Sequence, residues 1–157
     1  MLLAIGFAAT FMICAAYIIF PRRLHPLEQL FGLFLSLFIY AFHFFVSGVN
    51  QRNFSVNAAG DTFLTFLLIR FILTPVLALW LMELLEFARR FWSKAGLMLG
   101  FAAVSTFETF IMLRIGILTY EDWRPLGIFR FWLIFSVLIY VSLRLYRSTL
   151  RKELGLS

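Results

Sequence analysis

The run Thr62–Leu85, TFLTFLLIRFILTPVLALWLMELL, decides how this chain folds. Two of its residues, Arg70 and Glu83, carry charge, and nearly all the others are aliphatic or aromatic. A bilayer's hydrocarbon core is about 30 Å thick, a distance crossed by roughly 20 helical residues. Without water there, each backbone N–H and C=O must be paired inside the segment, and a helix does this. Barrel strands alternate polar and apolar residues over about ten positions. This run is longer and apolar on all sides.

Four further runs of the same kind flank it. The first extends from Leu2 to Phe20 and stops at Pro21-Arg22-Arg23. The second extends from Leu27 to Val49 and gives way to the polar stretch 50–61. Beyond Glu86, Arg89, Arg90 and Lys94, a fourth covers Ala95–Leu118, and a fifth runs from Gly127, behind Pro125, to Tyr146. A basic tail occupies 147–157. The expected fold is therefore all-α: one polytopic transmembrane domain, residues 1–157, built as a bundle of five helices.

Composition agrees. Hydrophobic residues make up 62% of the 157, and charged residues 14%, against roughly 45–50% and about 25% in soluble domains. The excess is aromatic, with 21 Phe, 5 Tyr and 4 Trp. Cys14 is the single cysteine, so neither an internal disulfide nor a paired-thiol redox centre can form. Ile13 stands where a lipoprotein signal needs a small residue, and Met1–Phe20 lacks the basic start of a cleaved signal. The expectation is a retained first helix.

Lys and Arg concentrate on the cytoplasmic side of membrane proteins. With five spans, one side holds Arg22, Arg23, Arg89, Arg90, Lys94, Arg144, Arg147, Arg151 and Lys152, and the other Arg52, Arg124 and Arg130. That asymmetry predicts an outside N-terminus and a cytoplasmic C-terminus. It also explains the basic balance without nucleic acid. Expected partners are the bilayer itself, anionic lipids at the cytoplasmic face, and a second copy or another membrane protein. Tyr120 and Trp123 suit the outer aromatic belt.

Polar groups at depth carry the functional information, because a charge near a helix centre costs about 2.5–3.5 kcal/mol on insertion scales. Arg70 lies nine residues in from Asp61, and Glu108 ten in from Leu118. At about 1.5 Å per residue both sit roughly 14 Å below the outer face. Consecutive helices are usually neighbours, so the two are expected to form an ion pair. Tyr40 and Ser136 fall at a similar height, and either could supply a hydrogen bond. Pro75 frees a carbonyl one turn back and can kink the third helix near Arg70. The pair reads either as a clamp fixing helix register or as a polar centre for an ion, a proton or a lipid head group.

Other residues have local explanations. His43, six residues from the outer end of its helix, is expected to be a hydrogen-bonded packing residue, since no ligand cluster surrounds it. Arg114 can snorkel to head groups. Glu86 stands i,i+3 and i,i+4 to Arg89 and Arg90, which predicts local pairing. Gly96, Gly100 and Ala103 form a small-residue stripe expected to pack within the monomer rather than at a dimer seam. No metal or cofactor site is expected, and no P-loop, nucleophile elbow or HExxH motif occurs.

Phe107-Glu108, the exit Gly116-Ile117-Leu118-Thr119-Tyr120 with Trp123, the stretch Phe63–Pro75 and the Phe20-Pro21 break carry a resemblance. Together they resemble an uncharacterised family of small multi-pass membrane proteins from endospore-forming Gram-positive bacteria. That family has a Phe-Glu pair in its penultimate helix, followed by an aliphatic-Tyr-x-x-Trp-like exit. Arg70 departs from its pattern. The resemblance implies a bacterial plasma membrane and a sporulation setting, and no chemistry. The expected function is a non-enzymatic structural, accessory or ligand-binding membrane component; the alternative is a small oligomeric transporter or channel subunit centred on Arg70, Glu108 and His43.

Overall fold

The computed structural model describes residues 1–50, 54–120 and 124–153. Helix α1 is Leu2–Ile19 and α2 is Pro26–His43, the latter prolonged by π-helical turns over Phe44–Asn50. The third span is composite: α3 (Gly60–Leu68), a π-helical turn (Ile69–Leu73) and α4 (Thr74–Phe87). Helix α5 is Phe91–Arg114 and α6 is Pro125–Glu153. Among the described residues, five helical stretches are long and apolar enough to cross a membrane. This is the architecture of a multi-pass membrane protein.

The fold is not purely helical. Strand β1 (Phe54–Val56) pairs antiparallel with β2 (Leu118–Tyr120), setting Phe54 opposite Tyr120 and Ser55 opposite Thr119. The fourth helix therefore ends four residues before the expected Leu118. Gly116, at φ 73°, is the cause. Its N–H reaches Leu113 O at 3.1 Å and the Ile117 N–H reaches Met112 O at 2.9 Å. That bond pattern is a Schellman stop, which needs a left-handed residue that glycine supplies without strain. The apolar residues beyond it, Ile117 and Leu118, are buried at the strand pair beside Phe54, Phe66 and Met112.

The third span is the hub. Helix α4 packs against α1, α2, α5 and α6, while α1 also covers α3. The core joins Tyr40, Ala78, Leu79, Met82, Ala102 and Trp132. Gly32 permits the close approach of α2 to α4, since a Cβ there would lie 2.6 Å from Met82 Sδ. Conversely, Phe7, Phe11, Phe34, Phe38, Phe45 and Phe107 point outward. Apolar side chains on the outside, with polar ones gathered within, suit a lipid solvent.

Gly96 and Gly100 do not serve packing in this chain. A Cβ on either would meet nothing within 4 Å, and both face outward. Helix α5 leans on α6 through its opposite face, at Ala102 and Ser105.

At the end where the basic connections lie, a polar knot closes the bundle. Fully buried Glu83 accepts from the Arg23 N–H at 2.7 Å and the Leu24 N–H at 3.3 Å, tying down the turn after α1. Glu86 pairs with Arg147 at 2.8 Å rather than with Arg89 and Arg90. Helix α4 ends at Phe87 and Ala88 is extended, so the helical spacing that would bring Glu86 to those arginines is absent. Arg147 also grips Glu28, giving it a structural partner beyond membrane orientation. Arg52, Trp123 and the Arg151 side chain lie outside the described residues.

Candidate functional site

Arg70 sits in the π-helical turn of the third span, with 2% of its surface exposed. The turn has a local origin. Pro75 brings no N–H to the helical ladder, and both the Thr74 N–H and the Thr74 hydroxyl reach the carbonyl of Ile69, the hydroxyl at 3.1 Å. Single π turns inside α-helices recur at functional sites. Here the turn carries the one charge at the middle of this span.

The side chain of Arg70 meets Glu108. Nη1 donates to Glu108 Oε2 at 3.2 Å, and Nη2 donates to Thr109 Oγ1 at 2.7 Å. Thr109 in turn donates to Ser105 O at 2.8 Å. The guanidinium carbon also lies 5.4 Å from the Trp132 ring centroid and 5.7 Å from that of Tyr40, close enough for cation–π attraction. Two polar atoms of the pair have no partner: Arg70 Nε and Glu108 Oε1 are both buried and unbonded.

The hydrogen-bonding partner is Thr109, and Tyr40 and Ser136 do not take that role. Ser136 donates to Leu133 O on its own helix at 2.8 Å, and Tyr40 presents its ring, stacked near Trp132 at 6.1 Å. Depth arithmetic gives height along the membrane normal, not rotation about a helix. Thr109 follows Glu108 by about 100° on α5, which turns it into the bundle and leaves Glu108 on the flank with 18% of its side chain exposed.

Beside Arg70 lies a cavity of about 380 Å³, bounded by Tyr40, His43, Arg70, Thr109, Tyr120 and Trp132. Exposed Arg124 and Gly127 border it at the start of α6, on the strand side. That volume is within the range of small-molecule sites. His43 stacks on Phe131 with centroids 3.6 Å apart, and its Nδ1 is 3.3 Å from Ser47 Oγ. Burial pushes the Tyr120 phenol up, against the pull of Arg70, so it offers a neutral hydroxyl at ordinary pH. Among the described lining residues there are two arginines and no carboxylate. Glu108 neutralises Arg70 from outside the cavity.

The arrangement can hold a negatively charged group. Arginine has five N–H donors, and its two bonds to Glu108 and Thr109 leave three without a protein partner. Aromatic walls would cover an apolar body attached to that group. Among the described residues, no three His, Cys, Asp or Glu converge as a metal ion requires. Arg114 stands outside this centre, exposed, its guanidinium 5.0 Å over the Phe110 ring. Comparison with protein-family models, with curated proteins and with solved structures found no match.

Proposed function

We propose that this protein is a non-enzymatic, ligand-binding membrane component whose centre at Arg70 receives a small organic anion from the side of the strand pair. The observation that supports this reading is the cavity against Arg70, a buried cation with donors to spare. A clamp that only fixed register would be packed dry on all sides. In this reading the strand pair faces outward in a bacterial plasma membrane, and the arginine-rich end meets anionic lipid in the cytoplasmic leaflet. The likeness to the endospore-former family fits that location.

The test uses benzoate as probe, because it joins one carboxylate to one flat apolar ring. Purified protein in nanodiscs, titrated calorimetrically, should bind benzoate with a dissociation constant on the order of 1 mM and should not bind uncharged benzamide. Arg70→Gln combined with Glu108→Gln, which leaves no unpaired buried charge, should fold and lose the binding. Equal binding of benzoate by this double variant would sink the reading. The transporter alternative draws on the same cavity, and uptake of labelled benzoate into proteoliposomes separates it from a receptor.

A further inference from the structure

We propose that the Arg70 centre is proton-coupled: Glu108 takes up one proton when an anion binds Arg70 and releases it when the anion leaves. This rests on the reading of Arg70 as an anion site. Its own support is the way the pair divides between two surroundings. Arg70 faces the cavity and Glu108 does not. Among the described residues, Arg70 is therefore the cation that meets both a carboxylate on α5 and the cavity.

Charge balance supplies the argument. In a low-dielectric interior an unpaired charge is strongly disfavoured, and charges there are found paired. The resting centre is neutral, with one guanidinium and one carboxylate 3.2 Å apart. At Arg70 an entering anion would leave two negative groups around one buried cation, the second arginine of the lining, Arg124, being exposed at the cavity's border. A proton on Glu108 restores neutrality: guanidinium with bound anion, beside a carboxylic acid. The exchange balances as anion plus proton in, and both out. The proton has a place to go, since Glu108 Oε1 accepts no hydrogen bond.

The other charged or titratable groups around the centre are Tyr40 and His43 from α2, Tyr120 from β2 and Arg124 at the start of α6. Arg114 is on the same helix as Glu108, six residues on. Of these, His43 is the one that ordinarily titrates near neutrality, so it needs its own control.

The experiment is benzoate titration of the full chain in nanodiscs from about pH 5.5 to about pH 8, where benzoate stays ionised as other carboxylates do. Wild-type affinity should fall as pH rises, approaching tenfold per pH unit, the limit for one coupled proton. Titrations in two buffers of different ionisation enthalpy should show proton uptake nearing one per benzoate. Glu108→Gln should bind across the whole range without pH dependence, and His43→Gln should keep the wild-type slope. The two-buffer measurement needs no variant, so misfolding of Glu108→Gln leaves the proposal open to refutation. Benzoate binding with a flat pH profile and no proton uptake overturns the coupling while leaving the anion site standing. A slope lost in His43→Gln and kept in Glu108→Gln also overturns it. No benzoate binding by wild type at any pH removes the anion site and the coupling together.

Discussion

Arg147 on α6 and Glu28 on α2, 119 residues apart, form a two-pronged ion pair in which Nε donates to Oε1 and Nη2 to Oε2, the latter at 3.1 Å. The third edge of the guanidinium holds Glu86 of α4 at 2.8 Å. One side chain thus joins the second, third and fifth spans. Glu28 is itself positioned by the chain, since its carboxylate accepts the His25 N–H at 2.9 Å and caps the start of α2.

Removing that arginine should loosen the basic end. Arg147→Met leaves two carboxylates without their cation, and breaking a buried pair from one side costs about 3–5 kcal/mol. Arg147 keeps some solvent contact, so a loss of about 2 kcal/mol is expected, read from thermal unfolding in detergent. Arg144 lies 5.3 Å over the Tyr140 ring, and Arg144→Met should cost under about 1 kcal/mol. Equal losses from the two substitutions would show that the three-helix junction contributes nothing of its own.

At the polar centre, Thr109 and Ser136 should behave differently although both are buried hydroxyls. Thr109→Val removes the acceptor for a charged donor, a bond of about 1.5–3 kcal/mol. Ser136→Ala removes a hydroxyl that bonds only within its own helix and should cost under about 1 kcal/mol. A double-mutant cycle on Arg70→Ala and Glu108→Ala should give a coupling of at least about 1 kcal/mol. An additive cycle would refute an energetic pairing.

Helix approach predicts opposite outcomes at two glycines. Gly32→Leu must displace Met82 and part α2 from α4, a severe overpacking of about 3 kcal/mol, relieved in part by Met82→Ala. Gly100→Leu meets open space and should change unfolding by less than about 0.5 kcal/mol. Light scattering of the purified protein then shows whether that open face touches a second copy. A large destabilisation of a monomeric Gly100→Leu variant would contradict the outward placement of the face.

The strand pair offers a topology test. Ser55 Oγ and Thr119 Oγ1 are 2.6 Å apart on directly opposed residues, so Ser55→Cys with Thr119→Cys, in a Cys14→Ser background, should form a disulfide on mild oxidation. Singly introduced Ser55→Cys should react with a membrane-impermeant maleimide in intact cells, and Ser93→Cys only after lysis. The reverse labelling pattern would invert the orientation.

Much of this architecture was legible along the chain. Five spans follow from apolar runs and the constant rise of a helix, and so does the approach of Arg70 to Glu108 on consecutive spans, although the count from Leu118 used a helix end that Gly116 places at Arg114. Both depend on position along one axis, which residue number measures. Azimuth does not follow in the same way, because each helix rotates until its whole surface is packed. That is why Thr109, and not Tyr40 or Ser136, supplies the hydroxyl beside the Arg70–Glu108 pair. It is also why Gly96 and Gly100, read as packing residues, face outward. The end of α5 was legible in principle: Gly116 is a helix stop, concealed by the apolar Ile117 and Leu118 that follow it.

By itself, then, the sequence determined a helical multi-span chain with one basic end and a charge of each sign within consecutive spans, since hydropathy and helical rise are local properties. Tertiary structure alone decided that Arg70 borders a cavity while Glu108 stands outside it. It also decided that Arg147 reaches two spans far away in sequence, and that strands 64 residues apart close the other end. Those relations depend on which elements become neighbours and how each is turned, which is settled only when all the spans bury their surfaces together.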